Sequence, residues 1–388
     1  MNEPKLRFPE FTGEWEEKKV KEIFEITRGQ VLPAAKTKPE VDGLYKYPVY
    51  SSQTMRNGLM GYYNEALFNN AITWTTDGAN AGTVRYRKGD FYCTNVCGVL
   101  LSKDGYANEC IAELLNIICK SHVSFVGNPK LMNNVMAEIV IPVPPLQEQQ
   151  KIASCLSAMD DLIAAQAEKV EALKEKKTGL MQQLFPQPGE TTPRLRFPEF
   201  TGEWEVKKLG EVASSFSGGT PKSSESKYYG GDIPFIRSGE IHGCKTELYI
   251  TEEGLNKSSA KLVSKGDLLI ALYGATSGEV AISKIDGAIN QAILCVRSQS
   301  INSNYLCNYL EYKKDTITSK FLQGGQGNLS SDIIMSLNIP SPSPAEQEKI
   351  ASCLSALDDQ IAAETEKLTA LKDYKKGLMQ QLFPQPAK

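Results

Sequence analysis

Two places in the chain set an acid and a lysine one residue apart, Glu16 with Lys18 and Glu205 with Lys207. In a Mg²⁺-dependent nuclease such a pair belongs to a cluster of carboxylates that holds the ion. No aspartate precedes Glu16, so the set is incomplete. A phosphate-cradling GxxxxGK[ST] loop is absent, and "NPK" at 128–130 lacks the second proline and the aromatic that adenine methyltransferases use. Nine cysteines and two histidines, His122 and His242, lack the paired spacing of a zinc site. Cys155 and Cys353 fall on apolar helix faces and read as buried thiols. The chain is therefore expected to hold no catalytic residue, no metal and no cofactor of its own.

What remains is the chemistry of contact. Lys, Arg, Asn, Gln and Tyr on glycine-rich loops can reach phosphates and base edges. In the second half these are Lys222, Lys227, Tyr228, Tyr229 and Arg237, with Gln326 and Asn328 in "GGQGNLS"; in the first half they are Arg28, Lys36, Lys38, Asn80, Arg85 and Arg87. Each also has a plainer reading as a solvated charge or turn residue, and Tyr228 and Tyr229, placed before two glycines, can pack on a sheet. Trp15 and Trp204 read as packing anchors.

The elements that must position these side chains are announced by duplication. "LRFPEFTGEWE" at 6–16 recurs at 195–205, "IASCLSA" at 152–158 recurs at 350–356, and "GLMQQLFPQP" at 179–188 recurs at 377–386. The frame is nearly invariant, while the stretches it encloses, 18–142 and 207–340, share only scattered letters. Those stretches hold short β-rich runs such as "AITW", "DFYCTNVCGVLL", "DLLIALYG" and "AINQAILCVR", and one helical piece each, "NECIAELLNIICKS" and "NSNYLCNYLEYKKDTITSKFL". They read as two α+β domains.

The closing part of each frame reads as a long helix of about 38 residues, or roughly 57 Å. Ser343 as N-cap, Pro344 as first residue and Glu346 as third make a capping box, matched by Pro145 and Gln147; proline after Phe185 and Phe383 stops both helices. Apolar residues from Ile152 to Leu184 and from Ile350 to Leu382 alternate steps of four and three, a coiled-coil seam broken by Gln166 and Lys177 in one copy and by Glu364 and Lys375 in the other. A parallel pair would set Lys177 against Lys375. An antiparallel pair sets Lys177 near Asp358 and Asp359, and Lys375 near Asp160 and Asp161. The expected fold is thus two mixed α/β domains on a pair of long antiparallel coiled-coil helices, a tandem repeat with approximate two-fold symmetry. Such a frame would hold its heads at opposite ends, with the chain termini close together. Gly179 and Gly377, inside the helices, suggest close backbone approach.

A net charge of −3 and 41% apolar residues suit an ordered protein whose positive field, if it meets DNA, is local or comes from other subunits. The beginning, "MNEPKLRFPEF", lacks the features of a secretory signal, so a cytoplasmic location is expected, with no membrane partner.

The ordered set "SFSGGTPKSSESKYYGGDIPFIRSGEI", "GDLLIALYGATSGEVAI", "INQAILCV", "GQGNLSSDII" and "IPSPSPAEQEKIASCLSALDD" in the second half, with "TTDGANAGTVRYRKGDFYCTNVCGVL" and "IPVPPLQEQQKIASCLSAMDD" in the first, resembles the specificity subunit of Type I restriction-modification enzymes over essentially the whole chain. The first half departs from the pattern, with "TRGQVLPAAKTK" where the second has its "GGTP…YYGGDIP" opening. The resemblance implies a first target-recognition domain at 1–145, a conserved helix at 146–186, a linker and second target-recognition domain at 187–342, and a second helix at 343–388. It further implies a non-catalytic chain that reads a bipartite, asymmetric sequence in double-stranded DNA. That chain would dock two methyltransferase subunits and then the restriction (motor-endonuclease) subunits, with S-adenosylmethionine, ATP and Mg²⁺ bound by those partners. A different class of function, a two-headed coiled-coil adaptor for proteins, is the alternative.

Overall fold

The computed structural model describes residues 3–53, 55–321 and 328–384. Two compact units emerge, one formed by the chain up to Ala167 together with the segment from Glu366 onward, the other by Glu168–Thr365. Each unit therefore draws half of its helical floor from each of the two long helices.

In the first unit, β1 (Glu16–Lys19) leads through the short α1 (Val20–Ile23) into β2 (Glu25–Arg28), β3 (Tyr47–Tyr50), β4 (Leu59–Tyr63), β5 (Phe68–Thr75), β6 (Val84–Cys93) and β7 (Cys97–Leu101). Then come α2 (Glu109–Ile118), α3 (Asn133–Glu138), β8 (Val140–Val143) and the long α4 (Leu146–Leu184). Six strands form one sheet in the order β2-β7-β5-β6-β3-β4, parallel only between β3 and β6. A separate ribbon pairs β1 with β8, Glu16 opposite Val143. The strand after the tryptophan repeat is thus hydrogen-bonded to the strand that runs into the long helix, which explains why head and tail of the frame recur together. Trp74 fills the space over Gly98, where a β-carbon would strike its ring, and donates its indole N–H to the Leu131 carbonyl at 3.0 Å.

The second unit repeats the scheme. It contains β9 (Glu205–Lys208), α5 (Leu209–Val212), β10 (Ala213–Ser217), β11 (Tyr229–Ile236), β12 (Leu248–Ile250), α6 (Glu252–Asn256), β13 (Lys261–Val263), β14 (Leu268–Ala271), β15 (Val280–Ile282), β16 (Gly287–Ile289) and β17 (Ile293–Ser298). They are followed by α7 (Ser303–Phe321), α8 (Ser331–Met335), β18 (Asn338–Ser341) and the long α9 (Pro344–Leu382). Here the sheet is split into β10-β17-β14-β15 and β12-β11-β16-β13, and the ribbon is β9 with β18. Reading β13 with β14 as the counterpart of β5, and β15 with β16 as that of β6, recovers the first unit's order. The bulge in β5 between Asn69 and Ala71, with Asn70 at φ 45°, marks where the second sheet breaks. The divergent openings also share a contact: a β-carbon at Gly29 would run into the Cys93 carbonyl, and one at Gly218 into the Ile289 carbonyl. Two dissimilar fillings therefore share one topology.

The long helices are antiparallel within both units. Lys375 reaches the Asp160 carboxylate at 2.6 and 2.7 Å in the first. In the second, Lys177 reaches Asp358 at 2.7 Å and Lys169 reaches Glu364 at 3.0 Å. The seam is not uniformly apolar in its burial. Ile152, Leu156, Leu382 and Phe383 sink into the first unit's core with Trp15, Trp74 and Leu114. Leu184, Phe185, Ile350 and Leu354 sink into the second with Trp204 and Tyr305. In the middle of the seam Val170 is buried, whereas Ile163, Leu173, Ile361 and Leu371 are only half-buried. Three expectations need correction. Gly179 and Gly377 have open space where a β-carbon would stand, so no close approach demands glycine there. Glu346 gives its carboxylate to Arg196 instead of completing a capping box, although Ser343 does accept from the Glu346 N–H at 3.3 Å. Cys155 and Cys353 are half-buried.

Candidate nucleic-acid interface

The two acid-x-lysine pairs close on themselves. Lys18 lies 3.1 Å from Glu16 and Lys207 2.8 Å from Glu205, side by side on the surfaces of β1 and β9. Among the described residues no group of three or more His, Cys, Asp or Glu side chains is arranged to hold a metal. Nor, among these residues, is any helix long and apolar enough to cross a membrane.

The candidate contact residues of the first unit fall into two kinds. Arg28 at the end of β2 and Lys36 at the end of the turn Ala34–Lys36 are exposed. Lys38 pairs with Asp42 and lies 4.6 Å over the Tyr45 ring; its ammonium, helped by the Tyr45 and Leu44 N–H groups, holds the Asp42 carboxyl at about 2. The other kind lies closer to the core. Arg85 and Arg87 belong to strand β6 rather than to a loop, Arg85 half-buried and Arg87 only 8% exposed. Arg87 donates from Nε to Thr73 Oγ1 at 3.0 Å and from Nη1 to the Asn57 carbonyl at 2.8 Å, and its guanidinium stacks 3.7 Å above Tyr50. Burial pulls its pKa down. Asn80 donates to the Ser52 carbonyl at 3.0 Å. Arg87 and Asn80 thus grip the connection between β3 and β4.

In the second unit Lys222 is exposed on a turn, and Lys227 reaches Glu253 at 2.5 Å. Tyr228 is half-buried; Tyr229 donates its hydroxyl to the Pro221 carbonyl at 2.7 Å and packs with Phe235, Ile250 and Ala288. The plainer reading, packing on the sheet, therefore holds for Tyr229. Arg237, just past β11, forks onto Glu240 at 2.9 and 3.1 Å and reaches Glu247 at 2.6 Å; both carboxylates push its pKa up. Asn328 is exposed, and Gln326 lies outside the described residues.

Geometry also offers residues that spacing alone did not single out. Arg56 and Asn57 stand consecutively in the left-handed region, φ 50° and 56°, in the turn Met55–Gly58 that leads into β4. Arg56 is exposed there, as is Lys245 in the corresponding connection between β11 and β12. An Asn-Gly step is a turn signal, so the turn was legible at Asn57–Gly58, but not what it presents.

Two units of one strand topology, a single sheet in the first and a split one in the second, each closed by a ribbon onto an antiparallel helix pair and each carrying polar and basic side chains around variable loops, define a duplicated recognition protein. The profile of the Type I restriction modification DNA specificity domain matches residues 12–175 and again 201–373, and the chain belongs to that family. It is 28% identical over 405 residues to the Type I restriction enzyme MjaVIII specificity subunit of Methanocaldococcus jannaschii, covering 97% of this chain and 93% of the relative. It is likewise 28% identical over 351 residues to a putative type I specificity subunit of Mycoplasma pneumoniae, covering 87% and 88%. In fold it is similar to the crystal structure of the Type-I restriction-modification system S subunit from M. genitalium, with a TM-score of 0.67 at 18% identity over 98% of this chain and 99% of that one.

Proposed function

We infer that this chain is the DNA sequence-specificity subunit of a Type I restriction-modification complex, in which each unit reads one half of a bipartite, asymmetric target. The observation that carries the reading is the double match of the specificity-domain family, once over each half, on a frame whose fillings share topology but not sequence. Two different loop sets on one scaffold suit two different half-sites. The long helices would set the spacing of the two readers and dock two methyltransferase subunits, with restriction subunits joining that assembly. S-adenosylmethionine, ATP and Mg²⁺ would belong to those partners, and this chain would supply no catalytic group. The adaptor alternative has no comparable support in the family match.

Affinity in such a reader comes largely from phosphate contacts and discrimination from base edges. Several candidate cations here already have carboxylate partners, and the chain is mildly acidic, which favours binding by the assembled complex over binding by the isolated chain. Mapping methylated adenines in the host genome with and without this chain tests the function. A bipartite motif that disappears on deletion supports it; methylation that is unchanged overturns it.

A further inference from the structure

The connection between β3 and β4 in the first unit and that between β11 and β12 in the second occupy the same place in the shared topology: each follows the strand that pairs in parallel with β6 or β16. Each is also held by an arginine. In the first, Arg87 lies under the turn, donating to Asn57 while stacked on Tyr50, and Ser51 N–H closes onto the Gly58 carbonyl at 2.9 Å. In the second, Arg237 ties the start of the loop to Glu240 and to its end at Glu247, whose own N–H donates to Glu240 at 2.9 Å.

We propose that these two connections are the base-reading segments, that Arg87 and Arg237 are positioning residues, and that Arg56 and Lys245 are the cations presented to double-stranded DNA. The proposal rests on the DNA-specificity reading above. The largely buried Arg87 turns its Nε and Nη1 inward, onto Thr73 and the Asn57 carbonyl of its own unit. Arg237 is neutralised by two carboxylates on its own loop. What each clamp achieves is order in advance: a segment already fixed loses less conformational freedom on binding. The first turn keeps two successive non-glycine residues in the left-handed region, a conformation that persists only where surroundings impose it. Its exposed side chains are Met55, at 78%, Arg56 and Asn57, and of these Arg56 is the cation. An arginine so placed can fork onto the O6 and N7 acceptors of guanine, and a lysine can meet the same edge.

The test uses the full chain assembled with its methyltransferase subunits and the motif established with the wild-type complex. Methylation rates are then compared on duplexes carrying single base changes in one half-site or the other. Arg56→Ala is expected to lower discrimination in one half-site by about 5- to 150-fold and leave the other untouched, with Lys245→Ala giving the mirror result. Arg87→Lys, which keeps the charge but loses the fork, should reproduce the half-site loss of Arg56→Ala while Arg56 is intact. Unchanged discrimination, or equal loss in both half-sites, overturns the proposal. If Arg87→Lys fails to fold, Arg56→Ala, a change of an exposed side chain, still decides. A wild-type complex that methylates no bipartite motif would instead sink the functional reading beneath it.

Discussion

At the scale of single residues, the repeated "LRFPEF" owes its recurrence to one arginine. Arg7 forks onto Glu148 with two 2.8 Å hydrogen bonds, and Arg196 does the same to Glu346 at 2.8 and 2.9 Å. The Glu148 side chain is 1% exposed, so removing its partner would strand a carboxylate in the interior. Arg7→Met is expected to destabilise the protein by about 3–5 kcal/mol, read as a lower urea midpoint. This clamp was invisible in sequence although every letter of it was repeated, because the partners are far apart along the chain. Local reasoning gave Glu346 to the N-cap backbone three residues away; a charge-assisted fork from Arg196 outcompetes that weaker acceptor role. The neighbouring glutamines show the same division of labour, Gln149 and Gln347 donating to the carbonyls of Pro144 and Pro342 at 2.7 and 2.9 Å.

At the scale of elements, the antiparallel helix pair was legible because two lysines interrupted two apolar seams, and like charges cannot face each other there without penalty. The additional role of Lys177 was not legible. Burial lowers its pKa, but its bonds to Asp358 and to Glu311 on α7 outweigh that and leave it raised. Lys177 therefore fastens the helix pair to the globular part of its unit. Gly179 gives a second prediction: with open space at the β-carbon, Gly179→Ala should stabilise α4 by up to about 1 kcal/mol and raise the melting temperature. A third comes from α2. Glu109 and Glu113 have raised pKa values, burial being the main cause in both, reinforced at Glu109 by the charge of Glu113 and opposed in both by Lys375 and Arg85. In the unfolded chain these groups ionise near the ordinary glutamate value, so ionisation costs folded-state stability as pH rises above about 4.5. Glu113→Gln should raise the melting temperature at pH 7 and leave it nearly unchanged at pH 4; a lower melting temperature at pH 7 would show that its attraction to Lys375 dominates instead.

At the scale of the whole molecule, the duplicated frame and both α+β fillings could be read from recurrence and patterning alone. The partners of the candidate contact residues could not, since Arg87, Tyr229 and Arg237 look like readers by type and each also bonds within its own unit. The junctions of the frame are equivalent in detail: Leu6 N–H donates to the Gln381 carbonyl at 3.0 Å, and Leu195 N–H to the Gln183 carbonyl at 3.0 Å. The segment at Leu6 thus sits against α9 as the one at Leu195 sits against α4. A circular permutant that joins the ends and opens the chain near Gly189, where φ is +87°, should fold with a single cooperative transition close to that of the parent. Loss of cooperativity by calorimetry would count against the equivalence.

The split origin of each unit's floor carries a consequence for inheritance. Because "IASCLSA" and "GLMQQLF" line both cores with the same side chains, a foreign filling of the same topology meets a surface it already fits, whichever half receives it. Exchange of genetic cassettes between the frame's landmarks would then rewrite one half of the target at a stroke, while the helices and everything seated on them stayed as they were.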